Sequence, residues 1–181
     1  MAFTSDLDQI ARAAAGDPAA VRSLVHRYSP GILGLATRML SDRAEAEDVT
    51  QETFIRAWKA LPGWEPRAKF STWLHRVALN LCYDRLRKRK ESLPGELPDM
   101  ADTRLAPHDA LDQLQRVSAI ESAIIALPER QSAALTLCAL QGHSQSEAAE
   151  ILDVSVEALE SLLARARRTL RAQLLEGRTS A

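Results

Sequence analysis

Apolar positions recur at spacings of three and four along most of the chain, and no convincing run alternates with a period of two. The pattern predicts an all-α protein. A first short helix is expected over residues 6–15, stopped by Gly16. Asp17 then caps a second helix, with Pro18 at the first helical position, where the missing N–H costs nothing. Ser29-Pro30-Gly31 is expected to interrupt, leaving a separate helix over 32–40. Ser41 or Asp42 caps a long helix to about residue 61, and Glu45, Glu47 and Asp48 suit the positive end of its macrodipole. Pro62-Gly63 ends it, and a loop through Trp64 and Pro66 leads into a helix over 71–90.

The texture changes after that helix. Pro94, Gly95, Pro98 and Pro107, mixed with carboxylates, leave little to bury, so the segment reads as an extended acidic linker. Helical patterning resumes over 109–127, and Pro128 opens the next helix. The expected organisation is two small helical domains, 1–90 and 109–181, joined by a flexible acidic linker at 91–108. Near the C-terminus, Gly142-His143-Ser144 breaks a helix, and Ser144 with Glu147 makes a capping box. A two-turn helix, a turn at Asp153-Val154-Ser155 and a long helix to about residue 175 follow, which are the parts of a helix-turn-helix. In that motif the second helix offers its first residues to the major groove. Helical hairpins that bind no DNA share the same pattern.

Charge sharpens this picture. The 181 residues carry 23 Lys plus Arg against 24 Asp plus Glu, a formal net charge of −1, which at face value speaks against nucleic acid. By position the balance is +5 over 1–90, −5 over 91–112, −5 over 113–160 and +4 over 161–181. Residues 54–90 alone reach +8 and hold six of the eight aromatics. Cations among aromatics suit single-stranded nucleic acid, because cations neutralise phosphates and rings stack on exposed bases. A solvated basic face over an aromatic core would give the same composition. On the helix over 71–90, Leu74, Val77, Ala78, Leu81 and Leu86 form the expected buried stripe. Trp73, Arg76, Asn80, Tyr83 and Arg87, spaced three and four apart, line another face. That face combines stacking, phosphate contacts and base-edge hydrogen bonds. Trp73 is equally suited to a core position.

Other chemistries find little support. No apolar run approaches the roughly 20 residues of a membrane helix, and the first ten residues lack a signal peptide's pattern. Cys82 and Cys138 stand 56 residues apart without a Cys-x-x-Cys motif, so neither a disulfide framework nor structural zinc is expected. His26, His75, His108 and His143 are scattered, with no nucleophile–base pair and no phosphate loop. The expectation is a cytoplasmic, reduced protein that is not an enzyme and needs no cofactor.

The stretches AEAEDVTQETFIRAWKAL (44–61) and KFSTWLHRVALNLCYDRLRKRK (69–90) resemble region two of bacterial sigma-70 factors, closest to the extracytoplasmic-function (ECF) group. LPERQSAALTL (127–137), GHSQSEAAEILDVS (142–155) and RARRTLR (165–171) resemble region four of the same family, in the same order. The resemblance implies a transcription initiation factor that binds core RNA polymerase and directs it to promoters. It implies a polymerase surface, toward the β′ clamp, at Asp48, Gln51, Glu52, Phe54 and Arg56, with region four on the β flap. It implies minus-ten recognition and melting by Lys69, Phe70, Trp73, Arg76, Asn80, Tyr83, Asp84 and Arg87. For the minus-thirty-five element it implies Ser155, Ala158, Ser161, Arg165 and Arg167. The linker resembles the family's segment through the polymerase channels. An anti-sigma factor is the expected regulator, released by a stress signal.

One stretch departs from the family. Where the family usually carries Gly-Thr-Val-Lys-Ser-Arg, this chain has Glu157-Ala158-Leu159-Glu160-Ser161-Leu162. Two carboxylates at a groove-facing helix start repel phosphates, although a carboxylate accepts from cytosine N4 and Glu157 also suits the helix dipole. Two alternatives stay open: a helix-turn-helix regulator acting without polymerase, and a sigma-like decoy that occupies an anti-sigma protein.

Overall fold

A computed structural model of the chain describes residues 2–65, 68–92, 120 and 122–179, with side chains over 6–65, 68–92, 120 and 122–173. Every regular element among them is helical: α1 (Ala2–Ala14), α2 (Pro18–Leu40), α3 (Arg43–Ala60), a 3-10 turn (Leu61–Gly63) and α4 (Phe70–Ser92) form the first lobe. The second holds α5 (Glu129–Leu135), a π turn (Thr136–Leu140), α6 (Gln145–Leu152) and α7 (Val156–Thr179). The expected linker falls mostly outside the described residues, as does most of the helix expected over 109–127. Glu91 and Ser92, assigned to that linker, continue α4 instead.

The helix boundaries follow local chemistry. Gly16 ends α1 in the left-handed region (φ 87°), which glycine enters without a Cβ penalty. Asp17 caps α2 by accepting from the Ala19 N–H at 2.8 Å, and Arg12 locks it from α1 at 2.9 Å. Asp42 caps α3 by accepting from the Glu45 N–H. Ser144 and Glu147 form the reciprocal capping box that opens α6. Asp153 ends α6 in the left-handed region (φ 55°), and Ser155 caps α7 by accepting from the Ala158 N–H at 3.2 Å.

The break expected at Ser29-Pro30-Gly31 does not form, and α2 runs through Pro30 as one helix. An interior proline costs about 3 kcal/mol or more. Here Leu24 on one side of it and Ile32, Leu35, Ala36 and Leu40 on the other are all buried in one core. Their shared burial holds both halves on one axis and outweighs the local penalty.

In the first lobe α2 packs on α1, α3 and α4, and α3 on α4. In the second, α7 packs on α5 and α6, burying Leu159, Leu163 and Ala166. The lobes meet through α4 against α6 and through α2 against α5 and the π turn. The face of α4 turned to the first core carries Leu74, Ala78, Leu79, Leu81 and Cys82, while Val77 is only half-buried.

Leu35→Ala, which opens a cavity at a fully buried position, is expected to cost about 2–5 kcal/mol in urea denaturation followed by circular dichroism. Leu7→Ala, at an exposed position, should stay within about 0.5 kcal/mol.

Candidate nucleic-acid interface

The core stripe of α4 dictates what remains outside. With Leu74, Ala78 and Leu81 turned inward, Asn80 and Arg87 are exposed and Trp73, Arg76 and Tyr83 are half-buried along one outward strip. Phe70, expected on the same surface, is buried (3 % exposed). Tyr28 and Trp64 meet its ring edge-on at 5.7 and 5.5 Å, and Trp73 stacks on it at 5.9 Å. Phe70 therefore acts as the platform that orients Trp73, and its own faces are taken. The surrounding shell is braced by Tyr28, whose hydroxyl donates to Asp6 at 2.6 Å and whose phenol is pushed up to about 12, mainly by burial. Burial pushes the Tyr83 phenol to about 12 as well, and its hydroxyl lies buried without a hydrogen-bond partner among the described residues.

The charged members of the strip are engaged within the molecule. Lys69 pairs with Glu147 across the lobes. Arg76 donates to the Glu150 carbonyl at the end of α6 and, at 3.0 Å, to Asp153 Oδ1. Arg87 donates to Asp84 at 2.8 Å. Further along α4, Arg89 donates to the Leu40 carbonyl and pairs with Glu45, Arg85 lies 3.7 Å from Asp48, and Lys90 pairs with Glu129 at 2.6 Å. Much of the basic charge concentrated here in the sequence is thus matched by carboxylates brought from elsewhere.

On α3, Asp48, Gln51 and Arg56 are exposed, and Glu52 accepts from Arg56 at 2.8 Å, which lowers its carboxyl below the usual range. Phe54, expected on that surface, is buried beside Trp58 at 5.8 Å, because its position continues the Val49–Thr53–Ala57 side of the helix. Sequence reasoning missed Ile55, which is 45 % exposed and one turn beyond Gln51. The signal was an apolar residue at the i+4 position of the polar face, which a count of charges overlooks.

In the second lobe Ser155, Ala158, Ser161 and Arg165 form one exposed strip from the start of α7. Arg167 is also exposed but points elsewhere, two residues past Arg165, in electrostatic contact with Cys138. The carboxyl of Glu157 is lowered, first by its own backbone N–H and then by Ser155, so it serves the helix start. Leu162 packs against the core, while Glu160 is exposed.

The histidines His75 and His143, 68 residues apart in sequence, meet edge-on at 4.8 Å where the lobes touch. Chain spacing gives no sign of this pair. His75 Nδ1 lies 2.8 Å from the Ser71 carbonyl, which only accepts, so Nδ1 carries the proton.

A helical lobe with an aromatic and cationic strip, joined to a lobe built on a helix-turn-helix, defines a DNA-binding protein of two modules. Comparison with known proteins narrows the class. Residues 24–92 match the family model for sigma-70 region 2 and residues 118–170 that for sigma-70 region 4. The chain is 36 % identical to the ECF RNA polymerase sigma factor SigW of Bacillus subtilis, over 88 % of this chain and 91 % of that protein. It is 34 % identical to the RNA polymerase sigma factor CnrH of Cupriavidus metallidurans, over 93 % and 95 %. The solved structure of CnrH in complex with the cytosolic domain of CnrY superimposes with a TM-score of 0.71, at 32 % identity, covering 95 % of this chain and 97 % of that one. The chain belongs to the sigma-70 family, as an ECF sigma factor. Among its described residues no helix is long and apolar enough to cross a membrane.

Burial, followed by the charge of His143, lowers His75 from the ordinary 6.5 to about 4, despite its Ser71 contact. The folded protein therefore favours the neutral ring. That stabilisation is complete above about pH 6.5 and is lost as the pH falls toward 4. It amounts to roughly 3 kcal/mol. The urea midpoint should fall across this window more steeply in the parent than in His75→Gln. Parallel pH profiles would refute the assignment.

Proposed function

We propose that this sigma factor binds core RNA polymerase through the exposed face of α3, with Asp48, Gln51, Glu52 and Arg56 as contacts, and delivers it to promoters. The strip on α4 then recognises and helps open the minus-ten element. The observation that carries this reading is the placement of Trp73, Arg76, Asn80 and Tyr83 on one outward face of a helix whose other face is core. Opening a duplex exposes unstacked bases, and a protein that captures them shifts the equilibrium to the open form without hydrolysing anything. Extruding a base costs a few kcal/mol. Stacking on an aromatic returns about 1–3 kcal/mol, and Lys69, Arg76 and Arg87 supply phosphate contacts. Asn80 supplies donors and an acceptor for a base edge. Phe70 contributes by holding Trp73 in place.

Ser155, Ala158, Ser161 and Arg165 are the proposed minus-thirty-five contacts, with Arg167 and the neighbouring arginines on phosphates. Glu160 and Leu162 offer no cation where phosphates would pass, so this contact is the weaker of the two. The CnrH structure contains a bound CnrY domain. By the same logic this chain is held inactive by an anti-sigma protein in the cytoplasm, where polymerase works, until a signal releases it. A helix-turn-helix regulator acting alone would bind its duplex without polymerase, whereas this reading requires core enzyme.

In vitro transcription with core polymerase and a genomic promoter library should yield transcripts that depend on this chain, and their complete absence would sink the proposal. Trp73→Ala should reduce open-complex formation about 10- to 100-fold, read by permanganate reactivity of unpaired thymines. Asn80→Ala, at an exposed position, should reduce it by about fivefold or more with unchanged thermal stability. Promoter opening unaffected by either substitution would refute the minus-ten assignment.

A further inference from the structure

The structure divides the residues by which the start of α7 departs from its family. Leu159 is buried in the second lobe and Leu162 packs against the same core, so neither meets DNA. Ala158 carries only a methyl group. The Glu157 carboxyl is taken up by its own backbone N–H and by Ser155 at the helix start. That leaves Glu160, which is exposed and, among the described residues, accepts no hydrogen bond and joins no ion pair. It is the fifth residue of α7, counted from Val156. With Leu159 and Leu163 turned to the core, Glu160 stands outward in line with Glu157, three residues back, and Ala164, four residues on.

In a helix-turn-helix, the first residues of the second helix meet base edges. A carboxylate placed there only accepts hydrogen bonds. In the major groove guanine offers O6 and N7 and thymine offers O4, all acceptors that repel it, whereas cytosine offers the N4 amino donor. Adenine sets its N6 donor beside the N7 acceptor, a pair that suits an amide rather than a carboxylate. Phosphate contacts add affinity without reading sequence, and this chain has Glu160 and Leu162 where the family usually carries lysine and arginine. A larger share of recognition at this element therefore falls to base edges.

We propose that Glu160 is a specificity-determining residue of the minus-thirty-five contact, accepting from the N4 amino group of one cytosine and selecting against the other three bases at that step. The inference deepens the minus-thirty-five reading and rests on it. Arg167 and Arg168, both exposed about two turns further along α7, supply the phosphate attraction at a distance from the carboxylate. Attraction and selection are thus separated along one helix.

The test uses core polymerase and the full chain on a promoter library randomised across the minus-thirty-five region, with a barcode in each transcript. Sequencing should show one position enriched for a C·G pair, its cytosine on a fixed strand, by about 5- to 100-fold, the range of a single base contact. Glu160→Gln should lose that preference and gain adenine on the same strand, because an amide pairs with adenine N6 and N7. Glu160→Lys should move it to guanine. Both are good helix formers at an exposed position, so the fold is retained. Asp8→Asn makes the same charge change as Glu160→Gln, on exposed α1, and should leave the preference as it is. A cytosine preference that survives Glu160→Gln overturns the inference and leaves the minus-thirty-five contact standing. So does a uniform rise in transcription with no change of preference, since Glu160 would then only repel phosphates. Chain-dependent transcription with no base preference anywhere in the randomised region refutes the minus-thirty-five reading itself, and the inference with it.

Discussion

The burial of one face of α4 against α2 and α3 is the interaction from which the rest of the molecule follows. Leu74, Ala78, Leu81 and Cys82 supply the face, and Leu35 and Val49 are among the buried side chains of the same core. Because a helix has a fixed 3.6-residue period, committing those positions inward leaves Trp73, Arg76, Asn80 and Tyr83 no choice but the opposite side. The lobe's stability and the orientation of this outward strip are thus one geometric fact. Phe70 extends the logic: its burial costs the surface one aromatic but fixes the ring of another.

Electrostatics gives the second layer. A net charge of −1 conceals strongly segregated charge, and folding brings the segregated parts together. Arginines and lysines of the first lobe find carboxylates on α3, on α5 and on α6. Such pairs add little to stability when exposed. They do determine which cations of the first lobe face an internal carboxylate, as Lys69 faces Glu147 and Arg76 faces Asp153.

Much of this was legible in advance, where the governing interaction is local. The caps at Asp17, Asp42, Ser144 and Ser155 are side chains bonding to N–H groups two or three residues away, so short motifs reveal them. The strip on α4 follows from spacing alone. Misreadings arose where distant contacts overrode local preference. Pro30 predicts a break, but core residues on both sides of it keep α2 continuous. Phe54 and Phe70 lie in motifs of exposed function, yet each ring is more stable among other aromatics than in water. Ile55 was passed over because charge marked the face it shares. The pairing of His75 with His143 depends on a docking between lobes that no periodicity encodes.

By itself, the sequence determined the helical class, the helix ends, the two-module organisation and the kind of chemistry each module carries, because these rest on hydrophobic period, capping and residue type. Only the tertiary structure decided which members of each motif are core and which are surface. It alone matched the basic strip on α4 to the acidic edge of α6. The physical reason is range: caps and amphipathic faces are set by neighbours within a turn or two, whereas burial and ion pairing between lobes are set by groups such as Arg76 and Asp153, 77 residues apart along the chain and 3.0 Å apart in space.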